Sequence, residues 1–189
     1  MIVLVIGGSA SGKSAYAETR LLQMQAAKKY YIATMQVWDS EGEKRVQKHR
    51  NMRKDKGFLT IEKQRDIAEV VLEDADAWLL ECVSNLVANE MFDERGFQAA
   101  DVVIKKIVGE MDALMKKGKH GVIVTNNIFE DGVEYDDAMQ QYLHALGQIN
   151  QALAQQADEV IEVVAGIPVV VKKKDRRGVR TYEKNSKSM

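Results

Sequence analysis

Short apolar runs rich in Val, Ile and Tyr alternate along this chain with longer segments that mix polar and apolar positions. Ile2–Ile6, Tyr30–Thr34, Ala77–Cys82, Val122–Thr125, Val160–Val164 and Val169–Val171 read as buried strands, with Phe58–Ile61 a weaker seventh. Between them the composition predicts helices near 14–27, 42–54, 64–75, 97–117 and 136–157. Gly118 and Gly121 punctuate the passage from one helix to the next strand. Strand–helix alternation of this kind predicts a mainly parallel sheet covered by helices. Pro168 is the only proline and no Gly/Ser-rich linker interrupts the pattern. One domain is therefore expected over residues 1–172, followed by a tail at 173–189.

Composition narrows the class. In 189 residues, 46 % apolar content can fill one core and 29 % charged residues supply an ordinary soluble surface. Cys82, the lone cysteine, excludes a disulfide framework and a cysteine-based zinc cluster. No stretch reaches the ~20 apolar residues of a membrane helix, and the apolar start lacks a secretory leader's basic region. A cytosolic protein is expected. Net charge is −1, yet Lys172–Met189 holds eight basic residues against two acidic ones. Such a tail reads as a solvated terminus, and no DNA-reading motif accompanies it.

In open α/β sheets ligands sit beyond the carboxyl ends of the strands. That singles out Gly7–Ser14, Thr34–Trp38, Glu81–Asn85 and Thr125–Asp131. Gly7-Gly8-Ser9-Ala10-Ser11-Gly12-Lys13-Ser14 fits G-x-x-x-x-G-K-[ST] between a predicted strand and a predicted helix. Its glycines let backbone N–H groups converge on phosphate oxygens, beside the positive end of a helix. Lys13 is spaced to reach the β and γ phosphates, and Ser14 to ligate Mg²⁺. Nucleoside triphosphate binding follows. Glu81, ending the run Trp78-Leu79-Leu80, adds a carboxylate that can hold Mg²⁺ through water or bind the nucleotide's hydroxyls.

A second constellation surrounds His49: Lys44, Arg45, Lys48, Arg50, Arg53 and Lys54. On a helix Arg45, His49 and Arg53 share one face. The plainer reading of such a run is a solvated charged face. Its place after the second strand points to covalent nucleotidyl transfer instead. An imidazole attacks phosphorus only when neutral, and neighbouring cations keep it so. The same cations would stabilise departing pyrophosphate. His120 and His144 lack such company and read as structural.

Taken in order, MIVLVIGGSASGKSAYAE (1–18), YYIATM (30–35), RVQKHRNMR (45–53), GFLTIE (57–62), LLECVSNLVANEMF (79–92), VIVTNNIFEDGVEYD (122–136) and GQINQALAQQADEVIEVVAGIPVVVK (147–172) carry a resemblance. The chain resembles the bifunctional adenosylcobinamide kinase/adenosylcobinamide-phosphate guanylyltransferase family of cobalamin biosynthesis. The resemblance implies a RecA-like P-loop NTPase fold, a mainly parallel sheet with an antiparallel edge and helices on both faces, and a homotrimer. It implies two reactions. A nucleoside triphosphate, ATP or GTP, phosphorylates the aminopropanol hydroxyl of adenosylcobinamide. GTP then gives GMP to an enzyme histidine, which passes it to adenosylcobinamide phosphate. The guanylylated histidine of R-[IV]-x-x-H-[RK] falls on His49, with Lys13 the other catalytic residue. The GTP-contacting positions fall on Gly7, Gly8, Ser9, Ala10, Ser11, Gly12, Lys13 and Ser14, and on Ala33, Thr34 and Met35. They continue at Arg50, Asn51, Met52 and Arg53, and at Glu62 and Glu81.

The chain departs from the family at Ala10, where many members have Arg, and at Lys48, where many have a first of two histidines. Asn127 replaces the carboxylate of V-T-N-E, which bears on the kinase step. Three alternatives stay open here: a guanylyltransferase with a weakened kinase step, an ordinary P-loop kinase with His49 on its surface, and a nucleotide switch. The switch calls for a guanine-reading N-K-x-D element, which the sequence lacks.

Overall fold

The computed structural model describes residues 1–36, 56–74, 76–93, 96–128, 135–174 and 180–181. In chain order the elements are β1 (Ile2–Gly7), α1 (Lys13–Leu22), β2 (Lys29–Ala33), β3 (Leu59–Glu62), β4 (Ala77–Leu80) and α2 (Val83–Met91). Then come β5 (Phe92–Asp93), β6 (Gly96–Phe97), α3 (Ala100–Met115), β7 (His120–Asn126), α4 (Asp137–Gln156), β8 (Glu159–Val164), β9 (Ile167–Lys174) and β10 (Arg180–Thr181). Eight strands form one sheet in the order β10-β9-β8-β1-β7-β4-β2-β3, and β5 and β6 pair separately. From β8 to β3 all neighbours are parallel; β9 and β10 add an antiparallel edge.

β1 shows why its residues form an interior strand. Successive side chains of a strand point to opposite faces, and here both faces are covered. Val3 and Val5 pack with Ala17 and Leu21 of α1. Leu4 faces the other way, into a core with Trp78, Leu80 and Ile123 and with α2, α3 and α4. α3 buries Val103, Ile107, Met111 and Leu114, and α4 buries Ala145, Ile149 and Leu153, each at helical spacing. Asp136 caps α4, accepting the N–H of Met139 at 2.8 Å. The fold class expected from the sequence is the one observed.

Four local expectations are corrected. Of the segment 64–75, the described residues 64–74 form no α-helix; they hold a 3₁₀ turn, Ile67–Glu69. Asp66 sits at φ 51°. The N–H groups of Asp66 and Ile67 go to the carboxylates of Glu90 and Glu110 at 3.3 and 3.2 Å, while Lys117 Nζ binds the carbonyls of Ala68 and Val70. Lys117 has thus taken two carbonyls that a helix over this segment would have paired internally, while the carboxylates hold N–H groups that would stay unpaired at a helix start. Conversely, Val83–Met91, where no helix is expected and whose start falls in the strand-end stretch Glu81–Asn85, is helical. The first helix ends at Leu22, short of residue 27, and the last long strand runs from Ile167 to Lys174 rather than over three residues. The helix expected at 42–54 lies outside the described residues.

Candidate active site

The phosphate loop leaves the carboxyl end of β1 and enters α1 at Lys13. Gly7 is required by crowding: a Cβ there would lie 2.6 Å from Ser11 Oγ and 2.7 Å from the carbonyl of Val163. Gly12 is required by conformation, with φ 92° and the backbone of Gly166 close by. Ala10 also adopts a positive φ, 55°. Two neighbours brace the loop. The N–H of Gly166, in the β8–β9 turn, donates to the Ser11 carbonyl at 2.8 Å, and that of Asn127 donates to the Gly7 carbonyl at 3.0 Å. Lys13 Nζ curls over the loop to the Gly8 carbonyl at 3.0 Å. Burial pulls the Lys13 ammonium below the usual lysine value, with the Cys82 sulfur acting in the opposite direction. Ser14 follows on the exposed first turn of α1.

Three strands away, the carboxyl ends of β2, β3 and β4 bring a second group together. Ala33 pairs with Glu62 across β2 and β3. Glu81 is the organising side chain. Its Oε2 accepts the N–H groups of Thr34 and Met35 at 3.0 and 3.1 Å, and its Oε1 the hydroxyl of Tyr31 at 3.1 Å. The carboxylate foreseen as a metal or ribose ligand is thus also the clamp of the loop after β2. Beside it opens a cleft of about 410 Å³ lined by Gln36, Glu62, Lys63, Gln64, Arg65 and Asp66. Sheet order puts β7 and β4 between β1 and β2, so about 14 Å separates the two groups at the usual strand spacing.

Between them lies a polar network that the sequence reading did not assign. Asn126 Nδ2 donates to Ser84 Oγ at 2.5 Å, and Thr125 Oγ1 donates to Asn150 Oδ1 at 2.7 Å. Tyr142 donates its hydroxyl to the Ser84 carbonyl at 3.2 Å, and burial pushes its phenol up to about 12. The available signal was the spacing of Val83, Leu86, Val87 and Met91, which marks the helix presenting Ser84. A cluster of Asp66, Glu90 and Glu110 lies nearby, but Lys106 Nζ occupies its centre, 2.7 Å from Asp66 and 2.6 Å from Glu90. It is an ion-pair network.

Of the site residues foreseen from sequence, the structure groups Gly7–Ser14 in one place and Ala33, Thr34, Met35, Glu62 and Glu81 in another. His49, Arg50, Asn51, Met52 and Arg53 lie outside the described residues. His120 begins β7, at the end of the sheet opposite the phosphate loop, where burial and then the N-terminal amine and Lys119 lower its pKa. His144 is exposed on α4.

The family model described as cobinamide kinase / cobinamide phosphate guanyltransferase matches residues 3–171. A bifunctional adenosylcobalamin biosynthesis protein CobU from Escherichia coli strain K12 is 32 % identical over 184 residues, 91 % of this chain and 100 % of the relative. The corresponding CobP protein of Pseudomonas aeruginosa is 27 % identical over 174 residues, 89 % of this chain and 96 % of its own. Among solved structures, a type III secretion system ATPase superposes with a TM-score of 0.53 at 10 % identity, over 89 % of this chain and 56 % of that one. That likeness concerns the fold.

Proposed function

The chain belongs to the cobinamide kinase / cobinamide phosphate guanyltransferase family, and from that premise we propose that it performs both transfers from one nucleotide cleft. It is a kinase and nucleotidyltransferase of cobalamin biosynthesis. The observation that carries the assignment of its site is the pair of groups at the carboxyl ends of the strands. In this reading the triphosphate lies on Gly7–Ser14, while guanosine reaches Thr34, Met35 and Glu62 near the Glu81 clamp. The separation of about 14 Å suits an extended nucleotide with its phosphates at β1 and its base at β2 and β3.

For phosphoryl transfer, Lys13 neutralises charge at the phosphates and the loop N–H groups orient them, so positioning and electrostatics carry the step. Ser14, exposed at the start of α1, suits Mg²⁺, which binds through few protein oxygens together with substrate phosphates. When bound, Mg²⁺ supplies further charge neutralisation. For guanylyl transfer, the proposed nucleophile is His49: its neutral ring nitrogen bonds to the α-phosphorus as the bond to pyrophosphate breaks. The phosphate of adenosylcobinamide phosphate then displaces the histidine, giving adenosylcobinamide-GDP. Arg50–Arg53 would hold the nucleotide during this exchange. We further propose a cytosolic homotrimer, with residues 1–172 as its catalytic part and the sheet continuing past them through Lys174 and β10; the exposed Ile167, Val170 and Val171 of β9 offer apolar surface for association.

The test uses α-labelled GTP with Mg²⁺. Label should stay on the denatured protein, survive alkali and be released by acid, as a phosphoramidate requires. His49→Asn should abolish the adduct and keep nucleotide binding, whereas His120→Asn and His144→Asn should retain it. Label persisting in His49→Asn would place the nucleophile elsewhere.

A further inference from the structure

Asn89, only 6 % exposed on α2, turns a single amide nitrogen toward two loops. Its Nδ2 donates to the carbonyl of Thr34 at 2.8 Å and to that of Gln64 at 2.9 Å. One follows β2 and the other follows β3. Because both hydrogens leave the same planar nitrogen, the two acceptors are held at a fixed separation and angle. Thr34 is otherwise secured too, through its N–H to Glu81 and its hydroxyl to the Cys82 carbonyl at 2.9 Å. The next residue of α2, Glu90, accepts the N–H of Asp66. The last turn of α2 therefore grips both walls of the cleft lined by Gln36 and Glu62–Asp66.

We infer that Asn89 is a positioning residue for the guanosine half of the nucleotide: it sets the width of that cleft without touching substrate. The inference rests on the proposed placement of guanosine at Met35 and Glu62. An apolar side chain of equal volume would fill the same space, yet it would take from two carbonyls the donor that Asn89 gives them and leave the two walls without this tie. The phosphate loop does not depend on this tie, being braced by Gly166 and Asn127. Loss of Asn89 should therefore weaken nucleoside recognition and spare triphosphate recognition.

The experiment compares Asn89→Asp, which keeps the shape but loses the donors, with Asn89→Ala, which loses both. Equilibrium binding of GTP and of inorganic tripolyphosphate is measured with Mg²⁺ on the whole chain, together with KM and maximal rate for formation of the labelled adduct. GTP binding should weaken about tenfold or more in both variants, the scale of a lost buried hydrogen bond. Asp should be at least as damaging as Ala, tripolyphosphate binding should hold within about twofold, and KM should rise more than the maximal rate falls. Parallel loss of both ligands, unchanged GTP binding, or a harmless Asp beside a harmful Ala overturns the inference. Glu62→Ala separates the two layers: if it leaves GTP binding intact, the guanosine placement fails. If it weakens GTP while the Asn89 variants do not, the role of Asn89 alone fails. Should neither Asn89 variant fold, proton exchange at the Asn89 side-chain amide of the unmodified protein decides. It must slow more with GTP than with tripolyphosphate, and equal exchange overturns the proposal.

Discussion

Asn127 donates its backbone N–H to the carbonyl of Gly7 at 3.0 Å, so the residue at which the resemblance leads one to expect a carboxylate is pinned against the first glycine of the phosphate loop. In the proposed reading of the phosphate loop, a side chain at 127 starts beside the residues that hold the transferred phosphate. A carboxylate is ionised near neutral pH and can accept a hydroxyl proton, which a carboxamide cannot. Asn127→Glu should therefore raise phosphorylation of adenosylcobinamide by about tenfold or more, a conservative share of what a positioned base supplies. Guanylyl transfer should stay nearly constant. Parallel assays with γ-labelled and α-labelled GTP measure the two steps, and an unchanged first rate would assign proton acceptance to another group.

Lys13→Ala should abolish both nucleotide-dependent reactions and leave the fold intact. The side chain is half-buried and, among the described residues, donates to the adjacent loop carbonyl of Gly8, a local contact whose removal leaves the core packing in place. What is lost is a charge-assisted contact to phosphate. Circular dichroism should match the parent protein while turnover vanishes; normal turnover by a folded variant would refute the phosphate-loop assignment.

Asp158 gives stability an acid limb. Burial would raise its pKa, but the N–H of Ile2 at 2.8 Å and the ammonium of Lys174 at 3.0 Å outweigh burial and hold the carboxyl below its ordinary value. A depressed carboxyl contributes stability that is complete above the unfolded pKa near 3.9 and is lost as pH falls through the folded value. Asp158→Asn should be less stable than the parent at neutral pH. The gap should narrow as pH drops below about 4. Urea melts at a series of pH values check the convergence.

Gly121 lies under the ring of Trp78, with any Cβ only 2.4 Å from a ring carbon. The indole is fully buried and tied by its N–H to the Lys117 carbonyl at 3.1 Å, so it cannot swing aside. Gly121→Ala should destabilise the protein by about 1–3 kcal/mol, as overpacking of a filled core does. A shift of the denaturation midpoint with an unchanged slope would match this.

The parts of this molecule that are legible in its sequence are those whose causes are local. The phosphate loop needs glycines, a lysine and a serine within eight positions, and β1 and the centre of β7 announce themselves as apolar runs because both sheet faces are covered. Segment 64–75 has helical composition, but among its described residues Asp66 leaves the helical region and Lys117, distant in the chain, takes the carbonyls of Ala68 and Val70. The role of Glu81 is hidden in the same way, since its acceptor oxygens are matched to Thr34 and Met35 nearly fifty positions earlier. α2 is a different failure: Val83, Leu86, Val87 and Met91 show the spacing, but its first residues fall in Glu81–Asn85, where the end of a strand draws attention to ligands rather than to a helix.

The position of β1 has a consequence for the order in which the protein can be made. It precedes every other strand in the chain, yet it lies between β7 and β8, and the loop that follows it leans on Gly166. During translation β1 must wait as an apolar segment without neighbours until most of the remaining strands have left the ribosome, a state in which such segments invite wrong pairing. The nucleotide loop, synthesised before the strands that flank β1, is among the last features completed. A growing chain stopped before the β8–β9 turn would carry the whole phosphate motif and still lack the support that shapes it.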